Sequence, residues 1–153
     1  MTNIANTLKQ QIVGLAHVGF IVTDLTASIA DYKKVYGVED SDILVFPPFS
    51  QTGDEVLTRF AFIKINDSEI ELIEPISTDF KHLLHSAPAG GGGINHIAWL
   101  VTDIEESVDV LAKQGIIPGY VTPNGVMDTG SKKMVYLDPE TTGNLYIELI
   151  QIK

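Results

Sequence analysis

No cysteine occurs among the 153 residues of this chain, which excludes disulfides and every thiolate metal site. Any metal would have to be held by imidazole and carboxylate, donors that suit hard or borderline cations. Positive charge is also scarce, with 10 lysines and arginines against 20 aspartates and glutamates and a net charge of −10. A polyanionic partner such as nucleic acid requires a basic surface, so this balance argues against one. No apolar run approaches the roughly 20 residues needed to cross a bilayer, and no membrane association is expected. The opening MTNIANTLKQQ is polar, carries one lysine and lacks an apolar h-region. It predicts no signal peptide, and a cytoplasmic location is the expectation.

What is present is a repeat. GLAHVGFIVTD at residues 14–24 is restated as GINHIAWLVTD at residues 93–103, placing His96 79 residues after His17. The 44% hydrophobic content is well spread and excludes a largely disordered chain. The length suits two half-modules sharing a core better than two independent domains. Both copies alternate as a strand and then present an N-capping aspartate, Asp24 or Asp103, before a helical stripe. The stripes are Ile29, Tyr32 and Tyr36 in the first copy, closed by Gly37, and Ile104, Val108 and Leu111 in the second, closed by Gly115.

Strands are predicted at residues 42–46, 56–65 and 69–74 in the first half, and at 120–122, 133–137 and 144–151 in the second. Each half reads βαβββ, an α+β class. The expected division is an N-terminal extension at 1–12, a first module at 13–76, a short helix and glycine-rich linker at 77–93, and a second module at 94–153. PPFSQTGD at residues 47–54 is a breaker-rich loop of the kind that forms lids. Gly90 to Gly93 follow no strand and read as a connector rather than a phosphate cradle. His82 and His85 lie three apart on the predicted short helix without a carboxylate partner and read as exposed helix residues.

The predicted last strands of the two halves also match, Glu71-Leu72-Ile73 against Glu148-Leu149-Ile150 at a spacing of 77 residues. Each half therefore offers one histidine and one glutamate, and the residue two beyond each histidine is small, Gly19 or Ala98. A single strand histidine or glutamate is ordinarily structural. Four at matched positions point to one divalent ion, cobalt, nickel, zinc, manganese or iron, held by His17, Glu71, His96 and Glu148. With six-fold coordination two positions stay open, where a substrate oxygen can be polarised.

These residues resemble the vicinal oxygen chelate superfamily, which includes glyoxalases, bleomycin resistance proteins and dioxygenases. The resemblance covers about residues 14–152. Within it, GGGINHIAWLVTDIEESVDVLAKQG, LDPETTGNLYIELIQ and GDEVLTRFAFIKINDSEIELIEP are most similar to the methylmalonyl-CoA epimerase family. The likeness implies a cupped mixed sheet with helices outside, and it puts His17, Glu71, His96 and Glu148 on the family's metal positions, Glu71 where Gln or Glu occurs.

It further implies abstraction of the proton between a thioester and a carboxylate, stabilisation of the enolate by the metal, and return of the proton to the other face. Glu148 matches a residue that is both ligand and candidate base. The second carboxylate of the family is missing, because residues 56–65 contain no Asp or Glu; Asp54, Glu55 and Glu74 stand nearby. Arg59 suits a substrate carboxylate, and Lys132 and Lys133 suit a CoA phosphate. The alternative substrate is a glutathione hemithioacetal, handled by a glyoxalase I-like lyase with a similar ligand set. A non-catalytic small-molecule binder of the same fold is a third reading, against which the full ligand set argues. The family implies a homodimer.

Overall fold

Asp24 and Asp103 perform one task in two places. Each leaves a strand in extended backbone, at φ −147° and −140°, and its carboxylate accepts the N–H three residues on, from Ala27 and Glu106, at 2.9 Å. A donor of the first helical turn is thereby satisfied and a negative charge is set at the positive end of the helix. The computed structural model describes residues 7–81 and 93–153. Among these are α1 (Leu8–Gln11), β1 (Ile12–Ile21), α2 (Leu25–Tyr36), β2 (Ile43–Phe46), β3 (Thr58–Ile65), β4 (Ser68–Pro75), β5 (Gly93–Val101), α3 (Ile104–Ala112), β6 (Met127–Asp128), β7 (Lys132–Tyr136) and β8 (Ile147–Ile152). Helices and strands in the order βαβββ, twice, bear out the α+β reading. No helix among the described residues is long and apolar enough to cross a membrane.

The chain forms two compact units, one from the described residues of His17–Asn95 and the other from those of Met1–Ala16 and His96–Lys153. In the first, strands run in the order β2-β3-β4-β1, with β1 and β4 parallel and the other pairs antiparallel. Asn66 at φ +55° makes the tight turn between β3 and β4. Period-two alternation sends Ala61, Ile63 and Leu72 into a core with Leu25 of α2, while Phe60 and Phe62 take the opposite face. Gly37 at φ +69° ends α2 and donates its N–H to the Lys33 carbonyl at 2.9 Å, a left-handed position that glycine occupies without a Cβ clash.

In the second unit the order is β5-β8-β7-β6, with β5 and β8 parallel. Ile104 and Leu111 of α3 pack with Val101, Val135, Leu137 and Leu149, and Leu8 and Ile12 join this cluster. Gln11 is buried: its carbonyl accepts the Thr102 N–H at 2.9 Å and its side-chain oxygen accepts the Thr102 hydroxyl at 2.5 Å. The described residues preceding β1 therefore close the end of a core.

Several sequence-based bounds shift. Residues 120–122 are not a strand: Tyr120 lies at φ +57°, the Thr122 N–H closes a turn onto the Gly119 carbonyl, and the second strand of that half is β6. β3 starts at Thr58 because Val56 donates to Gly53 in a turn, and residues 40–42 form a 3-10 turn before β2. α3 stops at Ala112, three residues before Gly115. Within the short helix and linker expected at 77–93, residues 78–81 form a 3-10 turn. His82, His85 and Gly90 to Gly92 lie outside the described residues.

Removing either cap tests the local account. Asp103→Ala and Asp24→Ala are each expected to cost about 1 kcal/mol of unfolding free energy, read from urea denaturation midpoints; unchanged midpoints would argue against the caps.

Candidate metal centre

In the first unit, His17 of β1 and Glu71 of β4 meet because of strand register. The parallel ladder sets Gly19 opposite Glu71, and alternation puts His17, two residues earlier, on the face of Gly19. A residue without a side chain at position 19 leaves the glutamate room to reach back, and His17 Nε2 lies 3.2 Å from Glu71 Oε2. On the other side of the ring, Glu69 Oε1 approaches Nδ1 at 3.8 Å. A carboxylate beside Nδ1 favours the tautomer that keeps the Nε2 lone pair for a cation. Phe62, the ladder partner of Glu71, meets the His17 ring edge-on with centroids 6.2 Å apart.

The second unit repeats the construction. Ala98 of β5 is the register partner of Glu148 of β8, and His96 Nε2 lies 3.3 Å from Glu148 Oε2. Tyr136 of β7, the antiparallel partner of Glu148, brings its hydroxyl to 3.4 Å from the same His96 nitrogen. All four residues are buried, the glutamates at 6% and 2% exposure. Carboxylates this deep are costly unless positive charge or donors compensate them. An imidazole nitrogen and a carboxylate oxygen aimed at one another at about 3 Å form a pair that a divalent cation can enter, so the donor set fits a metal of the type expected.

The other sequence candidates separate by strand parity and by partners. Arg59 of β3 is occupied with its own loop: Nε donates to the Pro47 carbonyl at 3.2 Å, Nη2 to the Gln51 carbonyl at 2.7 Å, and the guanidinium lies 5.2 Å from the Phe49 ring centroid. Lys132 shares the face of Met134 and Tyr136, hence of Glu148, whereas Lys133 turns toward α3 and pairs with Glu105 at 2.5 Å. Glu74 alternates away from Glu71, onto the α2 side of β4. Burial and the charge of Asp24 hold its carboxyl above the usual range, against the opposing pull of the Leu25 N–H and Arg59. Glu55 folds back over Gly53.

On the face that carries Glu71, the ladder supplies Leu44, Phe46, Phe60 and Phe62. These apolar side chains share that face with Lys64 and Glu69, and Leu44 and Phe46 are exposed. Sequence reasoning did not single out Tyr136 or Glu69. Glu69 was readable from alternation with Glu71. Tyr136 was not, because its pairing with Glu148 depends on the long turn between β7 and β8.

Two variants test these assignments. Arg59→Ala is expected to raise the rate of proteolytic cleavage within residues 47–54 by about tenfold, the loss of a charged hydrogen bond; an unchanged rate would show that Arg59 does not hold the loop. For Glu74, a raised folded-state value means that the stability of the protonated form is full below about pH 4 and is lost as pH rises through that value. Glu74→Gln should therefore be more stable than wild type at about pH 7 and equal to it at about pH 4, as urea unfolding at the two pH values will read.

Comparison with known proteins gives the chain's relatives. The model of the Glyoxalase/Bleomycin resistance protein/Dioxygenase superfamily matches residues 16–136. The ethylmalonyl-CoA/methylmalonyl-CoA epimerase of Cereibacter sphaeroides is 30% identical over 142 residues, covering 90% of this chain and 97% of that protein. The mitochondrial methylmalonyl-CoA epimerase of Dictyostelium discoideum is 27% identical over 97% of this chain and 84% of its own length. A variant of the Streptomyces coelicolor methylmalonyl-CoA epimerase, solved with 2-nitronate-propionyl-CoA, shares the fold at a TM-score of 0.71, with 24% identity over 92% of this chain and 95% of that one. With the duplicated βαβββ plan, a His–Glu pair in each half and a family match over most of its length, the chain belongs to the Glyoxalase/Bleomycin resistance protein/Dioxygenase superfamily.

Proposed function

We propose that the two His–Glu pairs together hold one divalent ion, cobalt, nickel, zinc, manganese or iron, and that the chain is a methylmalonyl-CoA epimerase-type enzyme. The observation that carries this reading is the matched burial of Glu71 and Glu148, each against the Nε2 of a histidine. Its support from outside is the epimerase of Cereibacter sphaeroides, whose length this chain covers almost completely.

The substrate class is an acyl-CoA thioester with a carboxylate on the α-carbon. Its α-proton is acidic because both neighbours withdraw electrons, and the two epimers exchange when that proton leaves one face and another arrives at the opposite face. A bound ion supplies a Lewis acid for the negative charge that builds on oxygen. Glu148 is the base on one face. Phe60 and Phe62, on the face of Glu71, offer apolar surface to the substrate. Lys132, on the face of Glu148, meets the CoA phosphate by charge, while Arg59 contributes by holding residues 47–54 in place. Nothing in the site specifically favours the hemithioacetal of glutathione.

The test is exchange of the α-proton of methylmalonyl-CoA with deuterium from solvent. Protein stripped by chelation should be inactive, regain exchange on addition of cobalt, and lose about 10²–10⁴-fold in rate as Glu148→Gln. Exchange that ignores metal, or turnover of the methylglyoxal–glutathione hemithioacetal in place of the thioester, would overturn the assignment.

A further inference from the structure

The two histidines are built alike but meet different neighbours on the adjoining strand. The parallel register that sets Gly19 opposite Glu71, continued two residues back, brings His17 opposite Glu69. In the second unit the register that sets Ala98 opposite Glu148 brings His96 opposite Tyr146 in the same way, and the Tyr146 carbonyl accepts the Ile97 N–H at 3.1 Å. Glu69 and Tyr146 are thus equivalent positions, 77 residues apart like Glu71 and Glu148. Tyr146 packs on Tyr120, with ring centroids 4.8 Å apart. Glu69 turns its carboxylate to the ring of His17, with Oε1 3.8 Å from Nδ1.

Resting on the metal site proposed above, we propose that Glu69 is a positioning residue for the ion: its negative charge acts through the imidazole of His17 and raises the affinity of the site. Glu69 and Glu71 project from one face of β4 and flank the same ring, one at Nδ1 and the other at Nε2. With the Nε2 lone pair given to an ion, the ring proton sits on Nδ1, the side that Glu69 occupies. A carboxylate there stabilises that tautomer, fixes the plane of the ring and makes the far nitrogen a stronger donor. Phe62 packs edge-on against the ring at 70° but carries no charge to bias its proton. At 3.8 Å the Glu69 contact is electrostatic; shortening by about 1 Å makes it a hydrogen bond.

Burial separates the roles of the two carboxylates. Glu71 is buried, and its charge must be answered for the chain to fold. The Glu69 side chain is 32% exposed and shares a rung of the β3–β4 ladder with Lys64. Carboxylates so placed add little to stability. The place of Glu69 beside the ring therefore bears on how tightly a cation is held rather than on folding, and the residue can be replaced with the fold intact.

Glu69→Gln removes the charge and keeps the shape. Cobalt dissociation constants are measured by competition with a chromophoric chelator for wild type, Glu69→Gln and Asp67→Asn, the last removing the same charge from the turn before β4. Glu69→Gln should bind cobalt about tenfold or more weakly, at the wild-type stoichiometry and with the urea midpoint of the metal-free protein unchanged. Asp67→Asn should stay within about twofold of wild type, because a solvated charge away from the ring is screened. An unchanged affinity in Glu69→Gln, a loss matched by Asp67→Asn, or a loss accompanied by a lower metal-free midpoint would overturn the proposal. Wild type that takes up no cobalt would instead overturn the metal reading, and this inference with it.

Discussion

A carboxylate that is nearly inaccessible to water must have its charge answered inside the protein, and this chain meets that demand twice. Glu71 and Glu148 are buried, each within 3.3 Å of an imidazole nitrogen. An opposite charge or a strong donor at that range is what makes such burial tolerable. Much else follows from keeping the pair in reach. The histidine and the glutamate must sit on adjacent strands, those strands must be parallel with a helix between them in the chain, and the residue across from the glutamate must be small. Gly19 and Ala98 occupy that place. The apolar faces that bury α2 and α3 then set the register, since a slip of one residue would turn each pair out of the site and into the helix-side core.

Duplication supplies the two pairs, and departures from it supply direction. The first half lines its carboxylate with Leu44, Phe46, Phe60 and Phe62, and ties down residues 47–54 through Arg59. The second places a phenol against its histidine and bends residues 118–122 into a turn to fix it. The first half surrounds its pair mainly with apolar side chains, while the second sets a phenol beside its pair.

The parts that were legible in the sequence are those decided by neighbours in the chain. Asp24 and Asp103 announce helix starts by local chemistry, the alternation around His17 and His96 announces strands, and the repeated Glu-Leu-Ile triplets announce equivalent last strands. What was not legible depended on distant partners. Tyr120, Val121 and Thr122 are β-prone residues, yet the docking of Tyr120 between Tyr136 and Tyr146 imposes a left-handed backbone that ends any strand. Arg59 looked available to a substrate because the path of residues 47–54, which brings the Pro47 and Gln51 carbonyls to its guanidinium, is not encoded locally. Lys132 and Lys133 looked equivalent until the pairing of β7 with β8 gave them opposite faces.

The ratio of bound metal to protein tests most directly the proposal that one ion requires both pairs. After chelation and reloading with cobalt, wild type should carry one ion per chain. The double variants H17A/E71A and H96A/E148A, confirmed as folded by circular dichroism, should each carry none. Two ions in the wild type, or one ion surviving the removal of either pair, would contradict a single shared ion.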